Sequence, residues 1–182
     1  MDLRITGAVD TAEVTTLVAE AHCDVGITDL EVEYPGLHAV ELGATELVAV
    51  LPPGTRLSRP GDGAVAALHA SDLNARTLVT MADGNLTRTL TDRIYEQLDV
   101  QPPRIVTTQR DALVPLSLCG FGVTFVPGRL ARAAEEKGAV LARPAKSVGR
   151  RFGLVYRSED LTPALGAFIR LALRLETWSE LS

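Results

Sequence analysis

The amino-acid sequence predicts an α/β protein, with helices layered on mostly parallel sheets. Three observations carry this. Short runs of Val, Ile and Leu alternate with stretches whose apolar residues recur at helical spacing. Clusters of Gly, Pro, Asn and Asp punctuate the junctions between them. Hydrophobic residues make up 46% of the 182 positions but aromatics only 4%, so the core has to be built from Leu, Val, Ile and Ala packed between layers. There is no internal repeat and no low-complexity tract.

Leu3 to Thr6 reads as a short strand. Asp10 then caps a helix, with Glu13 completing a capping box, and Val14, Leu17, Val18 and Ala21 form one apolar face. A buried strand over Asp24 to Thr28 would close a βαβ unit with two parallel neighbours. Two β-like runs follow, Leu37 to Leu42 and Glu46 to Leu51, parted by Gly43-Ala-Thr45; the second stops at Pro52-Pro53. Positions 54–70 read as loop with at most one helical turn. Thr77 to Met81 is a strand, and Asp83 to Thr87 turns the chain into a helix whose apolar face is Leu90, Ile94 and Leu98. A strand over Arg104 to Thr108 leads to a helix over Asp111 to Cys119, provided Pro115 lies in its first turn. Gly120-Phe-Gly122 ends that helix, and Val123 to Val126 is a strand closed by Pro127. A charged helix over Arg129 to Lys137 and strands near Ala139 to Ala142 and Arg151 to Arg157 complete the alternation. Thr162-Pro163 starts the last helix as N-cap and N1, with Leu165, Phe168, Ile169, Ala172 and Leu173 on one face.

Composition narrows the function. The 18 Lys and Arg against 23 Asp and Glu leave a net charge of −5, and no basic cluster of the kind that neutralises phosphates is present, so duplex DNA is not the expected partner of this segment. Cys23 and Cys119 lie far apart in apolar stretches and read as two buried free thiols; His22, His38 and His69 are scattered, and no metal or cofactor is expected. No apolar run is long enough to span a membrane, which fits a cytoplasmic protein. There is no G-x-S-x-G, H-E-x-x-H, P-loop or dinucleotide fingerprint, so an enzyme is not expected.

Four passages resemble the effector-binding domain of LysR-type transcriptional regulators: the helix end and strand Ala19 to Ile27, the strand Glu46 to Pro52, the segment Cys119-Gly-Phe-Gly-Val-Thr-Phe-Val-Pro127, and the strand Arg151 to Arg157 with the helix behind it. The resemblance implies a two-lobed periplasmic-binding-protein-like (type II) fold, two Rossmann-like lobes joined by two crossing strands. Lobe I would comprise residues 1–47 and 152–182, lobe II residues 48–151, with a small anionic effector in the cleft between them. It also implies a homodimer or tetramer, associating through a lobe I helix of one subunit and a lobe II helix of another, and DNA binding only through an N-terminal winged helix-turn-helix. That domain, and the family's first effector-domain strand and helix, have no counterpart in this sequence, and Thr55-Arg-Leu57 replaces the usual H-P-L.

On that resemblance Thr11, in the first turn of its helix, and Thr28, at the carboxyl end of its strand, are candidate effector contacts; helix capping and a simple strand end are their structural alternatives. Thr107, Thr108 and Gln109 resemble the polar lobe II contacts, whose hydroxyl, amide and backbone donors hold a carboxylate without a cation, though turn chemistry favours the same residue types. Phe121 is either an apolar wall of the site or a core residue. A transporter's solute-binding protein, or an enzyme on the same scaffold, are the alternative functions.

Overall fold

In the computed structural model, residues 3–8, 10–30, 34–58 and 65–174 are described. They divide into two compact units: residues up to Ala44 together with those from Arg150 onward, and Thr45–Gly149.

In the first unit, helix α1 (Thr11–Ala19) is capped by the Asp10 carboxylate, which accepts from the Glu13 N–H at 2.8 Å. Strand β1 (Val25–Asp29) pairs antiparallel with β8 (Gly149–Tyr156), and β8 lies beside the first half of β2 (His38–Leu51). The two faces of this sheet are covered differently. Leu154 packs with Leu165, Ile169 and Ala172 of helix α6 (Pro163–Arg174). On the other face a side chain at Gly26 would collide with Val14 of α1 and press on Val18 and Val155, so the glycine lets helix and strand approach.

In the second unit, the second half of β2 lies between β6 (Thr124–Pro127) and β7 (Val140–Pro144), both antiparallel to it, and β3 (Ala66–Leu68) runs parallel to β7. Strands β4 (Leu78–Met81) and β5 (Arg104–Thr107) are parallel, and a parallel bridge joins Leu78 to Val123 at the start of β6. Alternation along β2 sorts the core: Leu47, Ala49 and Leu51 join a cluster with Leu90 and Ile94 of α3 (Leu86–Gln97), while Val48 and Val50 join Leu113 of α4 (Leu113–Leu118) and Ala131 of α5 (Gly128–Glu135).

Several expectations are corrected. Residues 3–8 have no regular structure and are exposed, so the predicted βαβ unit does not form. Leu3 and Ile5 carry a strand pattern, but with no ladder partner among the described residues the pattern does not hold a strand. The pairings mix parallel and antiparallel, because alternation reports which face is buried and not which way the neighbour runs. The runs on either side of Gly43-Ala-Thr45 form one strand: Gly43 does not take a positive φ, and Thr45 is buried in mid-ladder. Within 54–70, strand β3 was not expected, while the short helix α2 (Ala70–Leu73) begins at the end of this stretch as a single helical turn. The helix expected over Asp111 to Cys119 is a 3-10 turn (Arg110–Ala112) followed by α4, with Pro115 in its first turn. Cys119 is exposed, because it caps the end of α4 and no longer faces the core; Cys23 is half-buried.

Candidate functional site

Thr11 and Thr28 meet. One opens α1 and the other sits near the carboxyl end of β1, and their hydroxyls are 3.1 Å apart in a hydrogen bond, with Thr28 only 8% exposed. Tyr34 joins them from the loop after β1: its hydroxyl donates to the Asp29 carbonyl at 2.9 Å and lies within hydrogen-bonding reach of both threonines. Its phenol is pushed above the usual tyrosine value, first by burial and then by the Asp29 carboxylate, while hydrogen bonds from Thr11 and Thr28 pull it part of the way back.

Beside this hydroxyl cluster, Arg150 Nη1 pairs with Asp29 Oδ2 at 3.0 Å, both side chains largely buried. Asp29 lies opposite Phe152 in the ladder, and Arg150, two residues along β8, is its diagonal neighbour on that face. Arg150 Nε is buried and has no hydrogen-bond partner among the described residues.

In the second unit, the parallel strands β4 and β5 end side by side, the Ala82 N–H donating to the Thr107 carbonyl at 3.0 Å. Thr107 Oγ1 then accepts from the Gln109 N–H at 3.0 Å, a side-chain turn that leaves Thr108 and Gln109 exposed at the strand end. After β4, Gly84 takes a positive φ and the Asn85 side chain caps α3 at the Thr87 N–H, 2.9 Å away. Phe121 is elsewhere. It is 54% exposed, so it is not a core residue, and it precedes β6, whose start lies next to Thr77 and Leu78 at the amino ends of the parallel strands. The fold therefore puts Phe121 at the opposite end of these strands from Thr107, Thr108 and Gln109.

Thr11 with Thr28, and Thr107 with Gln109, are thus brought together; Phe121 is not brought to the latter. Tyr34, Asp29 and Arg150 were missed. The available signal was Arg150 itself, a charge in line with Phe152, Leu154 and Tyr156 on one face of a strand. Among the described residues no group of three or more His, Cys, Asp or Glu could hold a metal ion, and no helix is long and apolar enough to cross a membrane.

The family model described as LysR substrate binding domain matches residues 5–176. The chain belongs to this family. It is an effector-binding domain of the LysR regulator family. Regulatory protein NocR of Agrobacterium tumefaciens (strain T37) is 28% identical over 170 residues, which cover 91% of this chain and 54% of NocR. The LysR domain thus spans about half the length of the curated relatives it matches. Among solved structures, the regulatory domain of MetR, a LysR family regulator from N. meningitidis, matches with a TM-score of 0.69 at 21% identity, covering 97% of this chain and 80% of that one. The effector-binding domain of QuiR in complex with shikimate matches with a TM-score of 0.71 at 18% identity, covering 91% and 77%. These likenesses show the periplasmic-binding-protein-like fold of the LysR effector domains.

Proposed function

We propose that this chain senses a small anionic effector for a LysR-type transcriptional regulator, and that the loop after β5 takes the effector's carboxylate. The observation that supports this is the Thr107 turn, which leaves the Thr108 hydroxyl and the Gln109 side-chain amide exposed beside the carboxyl ends of two parallel strands. Hydroxyl and amide groups donate to a carboxylate without needing a cation, and ligands of open α/β sheets bind outside the carboxyl ends of strands. Thr11 and Thr28 are proposed as further effector contacts, and Phe121 takes no part at the Thr108 loop. We assign residues 1–47 with 152–182 to lobe I and 48–151 to lobe II. The protein acts in the cytoplasm as a homodimer or tetramer, catalyses no reaction, and reaches DNA through a domain outside this chain.

The test is a thermal-shift screen of small carboxylates, followed by calorimetric titration of Thr108→Val. A ligand bound only by the native state raises apparent stability by mass action. The near-isosteric replacement removes one hydrogen bond to a charged group, about 1.5–3 kcal/mol or roughly a ten- to hundredfold loss of affinity, with the melting temperature of the free protein unchanged. Unchanged affinity would place the carboxylate elsewhere.

A further inference from the structure

In the sheet of the first unit, β1 pairs with β8 alone among the described residues, so its other side is an open edge. The Leu30 N–H donates to the Arg151 carbonyl at 2.9 Å, which makes Leu30 and Arg151 a hydrogen-bonded pair of the antiparallel ladder. Such pairs alternate, so Thr28 and Gly26 also bond to β8, while Val25, Ile27 and Asp29 turn their backbone groups away from it. The Tyr34 hydroxyl takes the Asp29 carbonyl. Val25 and Ile27 are left presenting N–H and C=O groups along the edge. Edges of this kind are normally blunted by Lys, Pro or a bulge, and Val-Gly-Ile-Thr-Asp has none of them. Ile27 lies opposite Leu154, on the side of the sheet that α6 covers, yet it is 54% exposed.

The same unit holds a strand-patterned segment that joins no sheet. Residues 3–7 alternate apolar Leu3 and Ile5 with polar Arg4 and Thr6, and both apolar side chains are exposed, Ile5 by 89%. They enter no ladder among the described residues, that of their own β1 included. An edge short of a strand and a strand short of an edge are complementary, and neither is satisfied within one copy.

We infer that residues 3–7 of one copy add as a strand to the open edge of β1 in a second copy. The exchange is reciprocal: each copy gives one strand and receives one, which closes after two copies. Leu3 and Ile5 fall on the side of Ile27 and cover it, while Arg4 and Thr6 fall on the side of α1. The contact is separate from the helix pairing that the family resemblance implies, and it adds to the mass which that pairing gives.

Sedimentation tests this on the full chain and two variants: Ile5→Lys, which spoils the strand, and Ile27→Lys, which spoils the edge. Both residues are more than half exposed in one copy, so the melting temperatures at low concentration should match the wild type. Between tens and hundreds of micromolar the wild-type mass should rise about twofold, and that of either variant alone should stay level. An equal mixture of the two should recover part of the rise, because the Ile5→Lys copy still offers an intact edge to the intact strand of the Ile27→Lys copy. A level wild-type mass, or a variant that rises as the wild type does, overturns the inference. A mixture as level as its components overturns it too, since pairing of two β1 edges, or of two 3–7 segments, cannot be rescued by mixing.

Discussion

At Gly122 the chain passes so close to the start of β4 that a Cβ would collide with the Thr77 carbonyl, which accepts the Val123 N–H at 2.8 Å. Two residues earlier Gly120 takes a positive φ, with open space around it. The two glycines of Gly120-Phe-Gly122 therefore answer to different demands, one conformational and one steric. Gly122→Ala should cost about 1–3 kcal/mol, the range for overpacking against groups that cannot retreat, read from urea unfolding; a loss within a few tenths of a kcal/mol would show that the ladder can shift. Asp72 makes a second residue-scale case. Its buried carboxylate accepts from the Ser58 N–H at 2.6 Å, the Ser58 hydroxyl at 2.7 Å and the His69 N–H at 2.9 Å. Burial alone would raise its pKa, but the bonds from Ser58 and His69 outweigh burial and hold it below the usual carboxylate value. A lowered value means the stabilisation is present above the ordinary carboxylate range and lost as pH falls through the lowered one. Asp72→Asn should destabilise by at least about 1.5 kcal/mol at neutral pH, with the gap to the wild type closing on acidification. A gap that stays constant with pH would mean the charge is not what matters. The threonines of the candidate site were legible because they flank strand and helix ends; the pairing of Asp29 with Arg150 was not, because its residues are 121 positions apart and the one local trace is a charge on the apolar face of β8.

Elements with their own start signals were the most legible. The Thr162 hydroxyl accepts from the Leu165 N–H at 3.2 Å, and Pro163 follows as the first residue of α6. Thr162→Ala should cost about 1 kcal/mol in thermal or urea unfolding, as N-cap losses do; no measurable change would mean that packing of Leu165, Ile169 and Ala172 alone fixes the helix start. Elements defined by their neighbours were less legible. β2 runs unbroken through Gly43-Ala-Thr45, where the local residues suggest a turn, because the strands beside it supply a ladder on which the backbone stays extended. At Gly149 a Cβ would lie 2.6 Å from the Thr45 carbonyl oxygen, so a glycine in β8 makes room at that very point. The reverse failure occurs at residues 3–8, whose alternating pattern is a strand's but which join no ladder among the described residues. β3 is only three residues long and owes its existence to β7.

At the scale of the whole molecule, alternation of strands and helices was enough for the α/β class, while strand direction and the pairing of β2 and β8 depend on contacts remote in sequence. Self-association belongs to this scale. Family resemblance points to a two-fold arrangement in which α1 of one subunit meets α3 of another, an isologous pairing that closes after two copies. The exposed side of α1 carries Ala12, Thr16 and Ala19, small residues over which a partner helix can come close, and α3 exposes Thr89, Arg93 and Glu96. Sedimentation at tens of micromolar should give twice the mass of the chain. Thr16→Arg places a long charged side chain in the middle of the exposed face of α1, so it should weaken the dimer at least about tenfold, as loss of a central contact does. Because Thr16 is exposed, the melting temperature extrapolated to the monomer should hardly move. A monomeric wild type at that concentration, or a Thr16→Arg dimer as tight as the wild type, would remove α1 from the interface.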